Sequence, residues 1–133
     1  MALITRLARL FRADVHAVLD RIEEPDALLR QAVRDMEEEC ARDAQRAALL
    51  GKEHEQLTAR IADLDRALTE AEEQLDVCFR SGKDELARPV IRRQLEAQRL
   101  RKRLIARTTA LERDQTALQR RRDDHQRRLD AMR

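Results

Sequence analysis

Three histidines, two cysteines, a run of three glutamates and an arginine-rich stretch are the groups in this 133-residue chain that could do chemistry. His16, His54 and His125 are far apart in sequence, and neither Cys40 nor Cys78 lies in a CxxC pair, so no metal-ligand spacing is present. If both cysteines sit on one helix, their 38-residue separation amounts to about 57 Å at ~1.5 Å per residue, far too long for a disulfide within the chain. The expected role of each is a small hydrophobic filler; redox sensing or crosslinking between chains is the alternative. With Gly51 and Gly82 as its only glycines, the chain cannot build a glycine-rich phosphate loop. Nothing assembles a Ser-His-Asp or Cys-His relay. No catalytic residue, metal or cofactor is expected, and the chain is not expected to be an enzyme. Glu37, Glu38 and Glu39 could serve as a carboxylate site, but consecutive acids on a helix read as a solvated face. The stretch from Arg99 to Arg128 could bind phosphates, or pair with acids elsewhere in the chain. It carries no aromatic side chain on which bases could stack, and no specific nucleic acid is expected.

The elements that must position these groups are long helices. Ala, Leu, Arg, Glu and Lys make up 80 of the 133 residues, a composition typical of coiled coils. Two glycines and two prolines cannot supply the turns of a sheet protein. No apolar run approaches the ~20 residues of a membrane span. The opening has no long uncharged core or small-residue cleavage site of a secretory signal. The net charge of +2 conceals an asymmetry: residues 1–24 sum to 0, residues 25–80 to −6 and residues 81–133 to +8.

Pro25, whose missing N–H suits a first helical position, and Ser81-Gly82, the one strong turn signal, delimit a first helix over 25–80. Its seam reads Leu29, Val33, Met36, Cys40, Asp43, Ala47, Leu50, His54, Leu57, Ile61, Leu64, Leu68, Ala71, Leu75, Cys78. Every step alternates four and three, a sustained heptad. A second helix over 83–133 carries Leu86, Val90, Ala97, Leu100, Leu104, Leu111, Leu118, His125, Leu129 and Met132 at similar spacing, with a skip expected near Thr108 and a possible kink at Pro89. So polar a helix needs the first one as a partner. The fold class predicted is all-α: an N-terminal amphipathic helix followed by a long antiparallel coiled-coil helical hairpin.

Folding the chain about Ser81-Gly82 makes facing residue numbers add to about 163. Glu70 then faces Arg93, Glu73 lies near Arg92, and Asp63 and Asp65 face the region of Arg99 and Arg101. Asp43 falls opposite Arg120 to Arg122, Glu37 to Glu39 fall near residues 124–128, and His54 meets Thr108 and Thr109. Each exposed pair is worth only ~0–1 kcal/mol, so the charges choose register more than they stabilise.

Residues 1–24 form a separate element. At 100° per residue Leu3, Ile4, Leu7, Leu10, Phe11, Val15 and Val18 share one arc, with Arg6, Arg9, Arg12 and His16 on or near the other side and no acid before Asp14. Such a helix suits an anionic membrane surface. It would equally suit packing into a small helical bundle.

The opening MALITRLARLFRADVHAVLDRIEEP, the following LLRQAVRDMEEE and the tip GKDELAR resemble the phage shock protein A family, which includes the plastid vesicle-inducing proteins and is related to ESCRT-III. The likeness runs through nearly the whole chain in order and spacing. It implies a non-enzymatic, cytoplasmic protein, peripheral on the inner face of the bacterial plasma membrane, that scaffolds or remodels the membrane in an envelope stress response. Membrane insertion then falls to Leu3, Ile4, Leu7, Leu10, Phe11 and Val15, with Arg6, Arg9 and Arg12 meeting phosphates of an anionic phospholipid membrane. The implied partners are that membrane, the chain itself as homo-oligomer or polymer, and an AAA+ transcriptional activator. A regulatory adaptor that restrains such an activator is the alternative function. Family members continue through further helices, so the expectation is a short version lacking them, as a short paralogue or a truncation product. Pro89 stands where the family has a small helix-former such as Ala.

Overall fold

The structure is a computed structural model that describes residues 3–4 and 25–133. Two long helices, α1 (Pro25–Arg80) and α2 (Asp84–Met132), pack against each other as a helical hairpin, with no strand among the described residues. Pro25 opens α1, where its fixed φ is already helical, and Asp26 places a negative charge in the first turn, where the helix dipole favours it. Asp84 and Glu85 do the same for α2.

The turn between them is a Schellman closure. Gly82 takes a left-handed φ of 65°, its N–H donates to Phe79 O at 3.3 Å, and Lys83 N–H donates to Cys78 O at 3.0 Å. Two carbonyls that the helix end would orphan are thereby satisfied. An L side chain at Gly82 would be held in a disfavoured conformation, whereas Gly51 lies mid-helix with open space where a Cβ would project. The two glycines therefore respond oppositely to alanine. Gly82→Ala is expected to cost about 1–2 kcal/mol. Gly51→Ala is expected to stabilise by about 0.5–1 kcal/mol. Thermal unfolding followed by circular dichroism reads both as Tm shifts of opposite sign.

All fifteen seam positions expected on α1, from Leu29 to Cys78, are half-buried or buried, while their neighbours mostly face solvent. On α2 the seam departs from expectation in two places. Leu86 is exposed and Ala87 takes the inward position, at 58% and 2% exposure respectively. The heptad also runs through Thr108 without a skip: Leu104, Thr108, Leu111, Gln115 and Leu118 are all half-buried or buried. The sequence reading passed over Thr108 and Gln115 because they are polar. A threonine in a helix can return its hydroxyl to the preceding turn, and Thr108 Oγ1 donates to Leu104 O at 2.8 Å. α2 continues through Pro89, whose ring nitrogen supplies no hydrogen-bond donor.

The described contacts form two compact units. One comprises residues up to Gln45 together with Arg120–Arg133, and its core contains Met36 and Leu129. The other is Arg46–Gln119, with Ala71, Ala87, Val90, Leu111 and Leu118 buried.

Candidate functional site

The chain's expected site is the amphipathic opening. Of its residues, Leu3 and Ile4 are described, both helical, Leu3 exposed and Ile4 half-buried. Arg6, Leu7, Arg9, Leu10, Phe11, Arg12 and Val15 lie outside the described residues.

Within the described residues, the most distinctive polar group lies in the seam of the unit that holds the helix ends. Asp43 from α1 and His125 from α2 are 3% and 1% exposed. His125 Nδ1 donates to Asp43 Oδ2 at 2.6 Å. Arg121, one turn before His125, sets its Nε 3.4 Å from Asp43 Oδ1 and its Nη2 3.4 Å from Glu39 Oε2. The heptad places Asp43 and His125 there, because both occupy inward positions. Once buried, each must find a partner or incur a desolvation cost. The pair resolves that requirement, and no buried side-chain nitrogen or oxygen among the described residues lacks a hydrogen bond. Seam burial leaves the pair closed to a substrate, so its contribution is conformational: a polar pair in an apolar seam favours the one register in which it meets.

Cys40 sits one turn before Asp43, and burial, reinforced by the Asp43 carboxylate, pushes its thiol above the ordinary cysteine value. That disfavours the nucleophilic thiolate. Cys40 and Cys78 are both free and half-buried. Among the described residues no group of three potential ligands could hold a metal ion, and no helix is long and apolar enough to cross a membrane.

The cross-helix ion pairs fix the register. Asp65–Arg101, His54–Glu112, Glu53–Arg107, Glu39–Arg121 and Glu37–Arg133 all join α1 to α2. Facing numbers add to between 160 and 170, bracketing the expected 163. Asp65 with Arg101 and Asp43 with Arg121 are pairings the charge pattern anticipates. His54, however, meets Glu112 Oε1 at 3.2 Å instead of Thr108 and Thr109. The threonines are one turn too early for it and return their hydroxyls to Leu104 and Ile105. Asp63 turns to Arg66 on its own helix. Glu70, Glu73, Arg92 and Arg93 make none of the described ion pairs and stay exposed. The sequence reading missed the pairing of Asp43 with His125, although it placed both on the seam. The signal was present: they are the polar seam residues nearest the two helix ends, and their numbers add to 168.

Comparison with known proteins covers this whole arrangement. The sequence model of the PspA/IM30 family matches residues 2–133. A phage shock protein A homolog of Deinococcus radiodurans is 29% identical over 93 residues, 70% of this chain and 42% of the relative. Membrane-associated protein Vipp1 of Synechocystis sp. is 28% identical over 94 residues, 71% of this chain and 35% of the relative. The matched region thus spans less than half the length of either relative. No solved structure gives a significant match.

Proposed function

The chain belongs to the PspA/IM30 family, and we propose from that premise that it is a peripheral membrane-binding, self-assembling scaffold. In this reading it protects or remodels the bacterial inner membrane under envelope stress, from the cytoplasmic face and without catalysis. Residues 1–24 are the membrane element and residues 25–133 the hairpin that assembles. The observation that carries the reading is the extent of the family match: it begins at residue 2 and includes the amphipathic opening as well as the hairpin. The Synechocystis relative is named as a membrane-associated protein, which agrees with it.

The mechanism is physical. The apolar arc of Leu3, Ile4, Leu7, Leu10, Phe11 and Val15 enters the headgroup region. Arg6, Arg9 and Arg12 each add about 1 kcal/mol of attraction to an anionic surface. One such helix binds marginally, and an assembly of hairpins multiplies the affinity through avidity.

The test in cells is the location of a fluorescent fusion at the C-terminus, with and without residues 1–22. The full chain is expected at the cell periphery and the shortened chain throughout the cytoplasm. Peripheral location of both, or cytoplasmic location of both with retained capture of an AAA+ activator, would replace this reading by the adaptor.

A further inference from the structure

The cations of α2 fall into two groups. Arg101, Arg107, Arg121 and Arg133 pair with acids of α1 across the seam. Arg88, Arg92, Arg99 and Lys102, all in the unit Arg46–Gln119, make no ion pair with any described residue. Counted outward from the seam, they lie in two adjacent rows at steps of seven: Arg92 and Arg99 in one, Arg88, Leu95 and Lys102 in the other. Such rows occupy the side of a helix turned away from its coiled-coil partner. Ile91 and Ile105 flank the second row on its seam side. All seven residues are exposed, Leu95 at 47%, Ile105 at 39% and Ile91 at 38%.

No acid stands in either row from Arg88 to Arg113. Glu96 lies in the next row beyond Arg92 and Arg99, together with Arg103, which offsets its charge. Glu72 and Asp76 belong to α1, whose axis lies roughly 8–10 Å behind that of α2, about one screening length at 0.1 M salt. The face thus sets four cations among three aliphatic side chains, over about 21 Å from Arg88 to Lys102. It repeats the composition of the opening, where Arg6, Arg9 and Arg12 accompany Leu7 and Leu10. Two faces of the same sign do not dock on each other, and one anionic partner fits both. A nucleic-acid backbone would take the cations and leave the aliphatic side chains in water. The headgroup region of a bilayer takes both, phosphates against the cations and the acyl boundary against Leu95 and the isoleucines.

We propose that this face of α2 is a second contact with an anionic bilayer, separate from the opening segment. The inference rests on the membrane reading above and extends it from residues 1–24 to the hairpin. With three partly exposed aliphatic side chains the contact is shallow and mainly electrostatic. It does not hold a chain lacking residues 1–22 at lipid concentrations where the full chain binds. Once the opening segment is attached, the face works at high local lipid concentration and multiplies the affinity.

The test uses the full chain, with tryptophan as a reporter because the sequence contains none. Leu95→Trp places an indole in the middle of the face, and Leu49→Trp, at a 69% exposed position of α1, is the control. The vesicles are phosphatidylglycerol mixed with phosphatidylcholine, with and without bromine-labelled acyl chains. Emission of Leu95→Trp is expected to shift to the blue on vesicle binding and to be quenched by the brominated tails, and that of Leu49→Trp to do neither. Arg92→Glu with Arg99→Glu should weaken vesicle binding by about tenfold or more. Arg60→Glu with Arg66→Glu, the same charge change on α1, should weaken it by no more than about twofold. All these positions are exposed, so helical content by circular dichroism and sedimentation without lipid should match the wild type. The tryptophan readout does not depend on the charge-reversed chains.

Leu95→Trp emission that neither shifts nor is quenched while the chain binds would overturn the proposal. So would vesicle binding of Arg92→Glu with Arg99→Glu within about twofold of wild type. Weakened vesicle binding accompanied by altered sedimentation without lipid would assign the face to a second copy of the chain, and retained vesicle binding with lost binding of duplex DNA would assign it to nucleic acid. Either result also overturns the proposal. A wild type that binds no vesicles defeats the membrane reading and this inference together. Binding that survives removal of residues 1–22 but is lost with Arg92→Glu and Arg99→Glu defeats the role of the opening segment and leaves this one standing.

Discussion

Replacing Asp43 by Ala is expected to lower the unfolding free energy by about 3–5 kcal/mol, because it strands His125 inside the seam and deprives Arg121 of a carboxylate. On a chain of this size that is a fall in Tm of roughly 10–20 °C. The cost reflects the orphaned groups more than any large net worth of the pair. The double change Asp43→Leu with His125→Leu separates these contributions. It fills facing seam positions with apolar side chains and is expected to be neutral or stabilising by about 1–4 kcal/mol. What the double variant should lose is register. Spin labels on the solvent faces of the two helices would report a single distance in the wild type and a broadened distribution in the double variant. A single change as mild as an ordinary surface substitution, within about 0.5 kcal/mol, would contradict the burial and the 2.6 Å contact on which the argument rests.

The second large effect concerns Leu7. It lies at the centre of the apolar arc of residues 3–18, flanked in sequence by Arg6 and Arg9. Leu7→Glu removes a side chain whose burial is worth about 1.5–3 kcal/mol. It also sets a negative charge against an anionic surface, at about 1 kcal/mol. Together these should weaken binding to anionic vesicles by roughly 100-fold per chain, and by more where chains act together. In the proposed reading Leu7 belongs to the membrane element and not to the hairpin, so the hairpin's helical content is expected to remain. Binding within twofold of wild type would remove Leu7 from the membrane element.

The fold was legible to the extent that a two-letter pattern of apolar and polar residues reports it. The alternation of fours and threes from Leu29 to Cys78 defined the α1 seam position by position, because nine of its fifteen inward sites carry large apolar side chains, six of them in the run from Leu50 to Leu75. α2 was harder for a physical reason. Its inward positions include Ala87, Thr108 and Gln115, small or polar residues that a search for hydrophobic side chains passes over, while Leu86 points outward. Reading the spacing instead of the residue type would have carried the heptad through Thr108. The register was nearly legible from charge, since Asp65 with Arg101 and Asp43 with Arg121 follow from complementary runs. His54 and His125 show where charge alone fails: each has a carboxylate partner that only the seam geometry selects. The candidate membrane residues are legible as a pattern, an apolar arc with arginines opposite, and that pattern describes a surface the helix can bury without saying what it is buried against.

The account stands on the opening segment's attachment to lipid, and co-sedimentation with vesicles tests it most directly. The full chain and a chain lacking residues 1–22 are each spun with anionic and with neutral vesicles at low salt. The account predicts that the full chain pellets with anionic vesicles, pellets far less with neutral ones, and loses binding when residues 1–22 are removed. Equal pelleting of the shortened chain, or no pelleting of the full chain with small anionic vesicles, would contradict it.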